Sequence, residues 1–360
     1  MAACCTVVIM RFALLILISV VGMAPQSLAR SRAVGHRGLP AWQAPQCTEI
    51  TGLAWIRFFD ADKTVRKSFD PPTPFRETVN TTEALGIGAT PNLMWAVTYD
   101  GAIHRSFDAG CTWSVAANPT DVLAGKIEPR IIARHTEPVY FHTDAKMARL
   151  WRDGRLELFG FPETFVMIDV DPRNALRLRA VSLFGTVYES NNGGAFWTRR
   201  GSAGPSELSA ARVDPVNFDR IYAAPRAYGL LVSNDGGVKW APVAAFTTRR
   251  VWDVYFSPVD ADVVWVDAWD DGDKSSGLYR SDDGARTFAR VAANSRALHF
   301  TDDVFALHPH ELDTYAVRDN PGVQVIGPEG KRAYHWEMGK KLVWSPAGTL
   351  YYIIQIVESR

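Results

Sequence analysis

Beyond about residue 50 the chain runs in short stretches of alternating apolar and polar residues, each stopped by Asp, Asn, Ser, Gly or Pro. Three segments share one layout: "FVMIDVDPRNALRLRAVSLF" (165–184), "ELSAARVDPVNFDRIYAAP" (207–225) and "VWDVYFSPVDADVVWVDAW" (251–269). Each holds an alternating run, a proline turn and a second run. "VFALHPHELDTYAVR" (304–318) follows the same plan. Period-two alternation sends successive side chains to opposite faces of an extended chain, so these runs predict β-strands. The Asp-Pro-type pairs between them predict tight turns.

A second mark follows the strand pairs. "SFDAGCTW" (106–113), "SNNGGAFW" (190–197), "SNDGGVKW" (233–240) and "SDDGARTF" (281–288) share a frame: Ser, any residue, Asp or Asn, any residue, Gly, two residues, an aromatic. The last copy carries Ala285 in the glycine place. Starts are separated by 84, 43 and 48 residues, so a degenerate copy is expected inside the first interval, and "ARLWRDGRLELF" (148–159) fills it. "GPEGKRAYHW" (327–336) reads as a further decayed copy. The residue types suit a hairpin turn. Glycine supplies positive φ without a Cβ penalty, the carboxylate accepts backbone N–H groups, the serine closes the turn, and the aromatic anchors the next strand. Four near-identical turns would be a poor way to build one active site, so they read as structure. Strand, proline turn, strand, loop, short strand, octet and last strand within about 43 residues predicts a four-stranded propeller blade.

On Ser106, Asp108, Gly110, Trp113; Ser190, Asn192, Gly194, Trp197; Ser233, Asp235, Gly237, Trp240; and Ser281, Asp283, Phe288, the chain resembles the bacterial neuraminidase repeat, or Asp-box, family. With the flanking strands the resemblance covers most of residues 85–337. It implies an all-β propeller and, because the family spans unrelated activities, little about function. Units near 85–118, 128–159, 163–200, 208–245, 251–292 and 299–337 make six blades. "TEITGLAWIRFFDADKTVRKSF" (48–69) and "KKLVWSPAGTLYYIIQIVES" (340–359) also alternate. Joined, they predict a seventh blade closed by both termini, which removes an exposed sheet edge. The expected fold is therefore a single β-propeller over 47–360 with seven four-stranded blades, six and eight being the alternatives.

Composition narrows the setting. Of 360 residues, 47% are hydrophobic and 22% charged, an ordinary globular balance. Lys plus Arg and Asp plus Glu are 39 each, so no net field favours nucleic acid or an anionic membrane. Arg11, the 13-residue run "FALLILISVVGMA" and the small-residue exit "PQSLA" predict a secretory signal over 1–29, with Ser27 and Ala29 at −3 and −1. The apolar run is short for a membrane span, which is the alternative. Residues 30–46 read as an irregular leader. Cys4 and Cys5 leave with the signal, so Cys47 and Cys111 are expected to form a disulfide in a secreted or periplasmic protein, two buried thiols being the alternative. No metal-ligand spacing or cofactor motif is present, so no metal or cofactor is expected, and the chain is expected to be a monomer. Asn80-Thr81-Thr82 is a glycosylation acceptor only in a eukaryotic host.

In such a blade the octet turn points to one face. The loop between strands two and three, and the crossings between blades, point to the other. Candidate ligand residues from those loops are Arg226, Tyr228, Arg318 and Asp319, with Asp100 and Asp144. The crossings add Arg249, Arg250 and Arg296, with Arg130, Glu163 and Glu207. Trp252 and Trp269 offer flat surfaces for stacking. The longest loop, "DAWDDGDKSSG", holds Asp267, Asp270, Asp271 and Asp273, which suit a solvated loop, a ligand contact or an acid–base pair.

Two function classes remain. Sialidases, the best-known bearers of the repeat, resemble this chain in fold and use three arginines, a tyrosine–glutamate pair and an aspartate. Their arginine–isoleucine–proline motif is missing, and "PRIIAR" (129–134) does not replace it. Xyloglucan-cleaving enzymes are similar in the repeat but usually need two propellers. The other class is recognition: the blades are similar to sortilin-type receptors and to the photosystem II assembly factor family, which dock partners. An exported recognition module for a glycan or protein is the preferred expectation, with a glycoside hydrolase as the alternative.

Overall fold

The computed structural model describes residues 55–59, 65–67, 82–90, 92–124, 129–258, 260–269 and 276–293, together with residue 313 and the strands between 305 and 354. These residues form seven four-stranded antiparallel sheets, six of them meanders of consecutive strands and the seventh shared between strands from the two ends of the sequence. Blades 1 to 6 occupy 82–117, 130–160, 165–202, 208–242, 250–293 and 305–335. Blade 7 joins Lys341–Trp344 and Leu350–Ile354 to Trp55–Phe59 and Val65–Lys67, with Trp55 opposite Ile354 and Phe58 opposite Tyr351. Pairing between the two ends of the chain follows from their alternation. Each supplies half a blade whose edge would otherwise be unpaired.

Burial is graded across each blade. Second strands such as Met94–Thr98 and Val139–His142 are buried throughout, because neighbouring blades cover both of their faces. Outer strands such as Thr198–Ser202 and Ala241–Pro242 are largely exposed. First strands pack against the first strands of adjacent blades, as in 165–171 with 208–213 and 208–213 with 250–256. The core is thus a set of layers between blades. Tyr222, Val254, Val264 and Val266 fill the layer between blades 4 and 5. Trp95, Val97, Phe141 and Leu150, with Leu123 of the short helix Thr120–Leu123, fill that between blades 1 and 2.

The octets are hairpin clasps. In all four copies the residue in the glycine place donates its N–H to the box serine, at 2.8 Å from Gly110, Gly194 and Gly237 and 2.9 Å from Ala285. The Asp or Asn side chain accepts the N–H four residues on, from Thr112, Phe196, Lys239 and Thr287, each at 2.9 Å. Trp113 and Trp240 donate their indole N–H to the carbonyls of Gly110 and Gly237. Trp197 instead packs edge-on against Phe161 and Phe165. Ala285 takes φ 68°, a left-handed conformation its siblings leave to glycine. The degenerate copy in blade 2 is a plain tight turn, closed by Trp151 N–H to Arg155 O, with Gly154 at φ 87°.

The octet glycines also permit close approach. A Cβ on Gly237 would lie 2.7 Å from both methyls of Val187 in blade 3, and one on Gly201 would overlap the Gly237 carbonyl oxygen. Two glycines thus let the clasp of blade 4 sit directly on the outer edge of blade 3. Arginines complete these seams. Arg149 Nη1 donates to the carbonyls of Asn192 (2.6 Å) and Gly193 (3.0 Å) in the next blade. Arg200 Nε reaches Gly236 O at 3.1 Å, and Arg280 pairs with Asp313 of blade 6 at 2.6 Å. The fully buried Arg179 donates to the Phe218 carbonyl and pairs with Glu189 and Asp219.

Candidate functional site

Successive hairpins of a meander lie at alternate ends of the sheet. The loops at 98–103, 182–186 and 225–231, the crossings at 203–207 and 243–249, and the strand ends at Trp269 and Gly277 therefore share the face opposite the octets. There Arg226 forms an ion pair with Glu207, and its N–H donates to the Glu207 carbonyl at 2.8 Å. Loop and crossing are tied together by that contact.

Next to it the structure gathers four of the residues singled out from sequence. The Arg250 guanidinium lies over the Tyr228 ring, 5.4 Å from its centroid. Arg250 pairs across strands with Trp269, whose ring is 6.4 Å from that of Trp252 at a 39° tilt. Trp252 is 37% exposed and Tyr228 44%. A register shift between Val251 and Asp253 leaves Trp252 as the extra residue of a β-bulge, and bulges re-aim a side chain. The same irregularity falls at Val166 and Ser209 in blades 3 and 4. There Ser209 Oγ donates to Val251 O at 2.7 Å and closes the seam. Blade 5 puts an indole where blade 4 puts a hydroxyl.

Other predicted residues do different work. The Arg249 guanidinium lies 5.0 Å from the centre of the Tyr279 ring and donates to Ala245 O, so it anchors the crossing. Arg318 and Asp319 end the strand Tyr315–Asp319, at the end of blade 6 that shares this face. Asp270, Asp271, Asp273 and Arg296 lie outside the described residues, as does Cys47. Cys111 is buried and disulfide-bonded.

Much of the charge nearby is spent on joining blades. Arg212 pairs with Asp253 of the next blade at 2.6 Å, and Arg134 grips Asp169 with both nitrogens at 2.8 and 2.7 Å. A tyrosine–glutamate pair does exist, Tyr188 donating to Glu163 at 2.6 Å. Burial first, then the bonded carboxylate, push the Tyr188 hydroxyl up to about 12. The Tyr188 bond, against burial, holds Glu163 below the usual carboxylate range. That tyrosine is a fixed donor rather than an activated nucleophile. Among the described residues no three His, Cys, Asp or Glu side chains are grouped to hold a metal ion, and no helix is long and apolar enough to cross a membrane.

Two exposed aromatics escaped the sequence reading. Tyr99 (51% exposed) and Phe184 (58%) sit in the loops between strands two and three of blades 1 and 3, on the same face as Tyr228. Each stands just before a positive-φ glycine, in "YDG" and "FG", as Tyr228 does in "YG". That recurrence was the available signal.

No family model matches the chain. The dispase autolysis-inducing protein of Streptomyces mobaraensis is 27% identical over 321 residues, covering 84% of this chain and 82% of the relative. Among solved structures, YCF48 bound to a D1 peptide superposes with a TM-score of 0.53 at 12% identity, over 81% of this chain and 96% of its own. The GH74 enzyme of Niastella koreensis gives 0.52 at 14% identity, over 77% of this chain and 53% of the enzyme, so the chain spans about half the enzyme's length. At these identities the likeness to the solved structures concerns the fold, an all-β propeller, and leaves the chemistry to the residues of the chain.

Proposed function

We propose that this chain is an exported propeller of the Asp-box type that recognises a protein partner through the face opposite its octet turns. The observation that carries the reading is the cluster of Tyr228, Arg250, Trp252 and Trp269 across blades 4 and 5. Partly exposed Trp and Tyr beside Arg is the composition of a binding hot spot. Two similar proteins support the same reading: the dispase autolysis-inducing protein, and YCF48, whose structure holds a bound D1 peptide. Within the same reading the signal ends before Arg30, and Cys47 is the partner of Cys111.

Dispase is the first partner to test. Immobilised mature chain is titrated with active-site-blocked dispase, using serum albumin as the reference, in the wild type and in Trp252→Ala. The expected result is saturable binding, weakened at least tenfold by the substitution. Binding no tighter than to albumin, or equal binding by both chains, overturns the reading. The tilted Trp252–Trp269 pair also has a form that stacks on sugars, so a xyloglucan oligosaccharide is titrated in parallel. Binding of the sugar alone, lost in Trp252→Ala, transfers the site to a glycan.

A further inference from the structure

Among the described residues, four exposed aromatics occupy the face opposite the octets: Tyr99, Phe184, Tyr228 and Trp252, from blades 1, 3, 4 and 5. Backbone bonds hold the loops that carry the first three: two close their own hairpins, and the third ties its loop to the crossing into blade 5. Gly101 N–H donates to Thr98 O at 2.8 Å, Gly185 N–H to Ser182 O at 2.9 Å, and Gly229 N–H to Arg249 O at 2.8 Å. In the first, Thr98 Oγ1 also donates to Asp100 at 2.6 Å. The rings are therefore held on short, rigid turns, which lowers the ordering cost of binding through them. The octet face carries exposed rings as well, Phe196 at 69% and Phe107 at 63%, the latter under the Arg105 guanidinium 4.5 Å from its centre.

The size of the exposed set says what it fits. Taking about 200 Å² for an aromatic side chain, the exposed fractions amount to roughly 400 Å². That is about half of the ~800 Å² that one partner contributes to a standard protein interface. A short peptide confined to blades 4 and 5 would leave Tyr99 and Phe184 uncovered.

We infer that the partner is a folded protein lying across this face and touching blades 1, 3, 4 and 5 together, with Tyr99 and Phe184 as binding residues. The inference rests on the protein-recognition reading above and extends its footprint. The test uses the full mature chain, blocked dispase as the probe, and three variants: Tyr99→Ser with Phe184→Ser, Trp252→Ala, and Phe107→Ser on the opposite face. Unchanged thermal midpoints certify folding, and the single substitution Tyr99→Ser replaces the pair where the pair unfolds. The expected result is at least a tenfold loss for the pair, multiplying with the Trp252→Ala loss because the sites are separate, and no loss for Phe107→Ser. If Trp252→Ala weakens binding while the pair binds like the wild type, the wide footprint is wrong and protein recognition stands. If none of the variants weakens binding, both fail. Loss in Phe107→Ser equal to that of the pair also overturns the inference, since it places the contact on the octet face.

Discussion

Gly201 lies in the outer strand of blade 3, where nothing in its own sequence neighbourhood demands glycine. Its φ is not in the left-handed region, so a side chain there is limited only by space. In Gly201→Ala the new methyl would overlap the Gly237 carbonyl oxygen and stand 3.0 Å from Val238 Cα. Both neighbours are backbone of the blade 4 clasp, which Ser233, Asp235 and Trp240 hold rigid. Relief requires the outer edge of blade 3 and the clasp of blade 4 to part by about 1 Å. Overpacking of this kind costs about 1–3 kcal/mol. The parting also weakens the Arg200 Nε bond to Gly236 O, about 1 kcal/mol more. The expected loss is about 2–4 kcal/mol, or a midpoint fall of roughly 3–6 °C for a domain of this size. Two controls separate the causes. Gly160 has open space and ordinary φ, so Gly160→Ala is expected to stay within about 0.5 kcal/mol of wild type. Gly154 has open space but φ 87°, so Gly154→Ala carries only the left-handed penalty of about 1 kcal/mol. Thermal and urea unfolding of the three variants should rank Gly160, Gly154, Gly201 in rising cost. Gly201→Ala as stable as Gly160→Ala would refute the claim that the two glycines close this seam.

The octets make two further predictions. Burial pulls the Asp283 carboxyl up, but bonds from Thr287 and Ser281 outweigh it and hold the pKa at about 2. Because the folded value lies below the unfolded one of about 3.9, the clasp is fully stabilised above pH ~4 and loosens as pH falls towards 2. Blade 3 carries Asn192, which does not titrate, so hydrogen exchange should show Thr287 N–H losing protection over that range while Phe196 N–H keeps its own. Equal loss at both amides would mean that the carboxylate is not what holds the turn. Ala285→Gly should stabilise blade 5 by about 0.5–1 kcal/mol, by removing a left-handed alanine at φ 68° while keeping the N–H bond to Ser281. A loss in urea unfolding would show instead that its methyl contributes to the hydrophobic layer between blades 4 and 5, against which Ala285 packs.

The legible part of the candidate site was Tyr228, Arg250, Trp252 and Trp269, placed on one face because loop and octet ends alternate along a meander. Their mutual geometry was not legible. It depends on a bulge at Trp252, and "VWDVYF" reads as uninterrupted alternation. Tyr99 and Phe184 were passed over because an aromatic next to a turn looks the same whether a neighbouring blade covers it or leaves it open. The seam arginines were missed for a related reason. Arg149 and Arg179 find their carbonyl partners about 40 residues away, one blade further on.

Strands, turns and clasps arise from local chemistry: period-two alternation, proline and glycine backbones, and a serine and carboxylate reaching only a few residues. The repeat multiplies that signal, so the all-β architecture, the blade period and the end of each blade that carries the octet were written in the residues themselves. Which side chains lock one blade to the next, which glycines are needed for space rather than for φ, and which aromatics stay uncovered were settled only on assembly. Each depends on surfaces that meet across a seam, and contact across a seam is a property of two blades that neither segment carries alone.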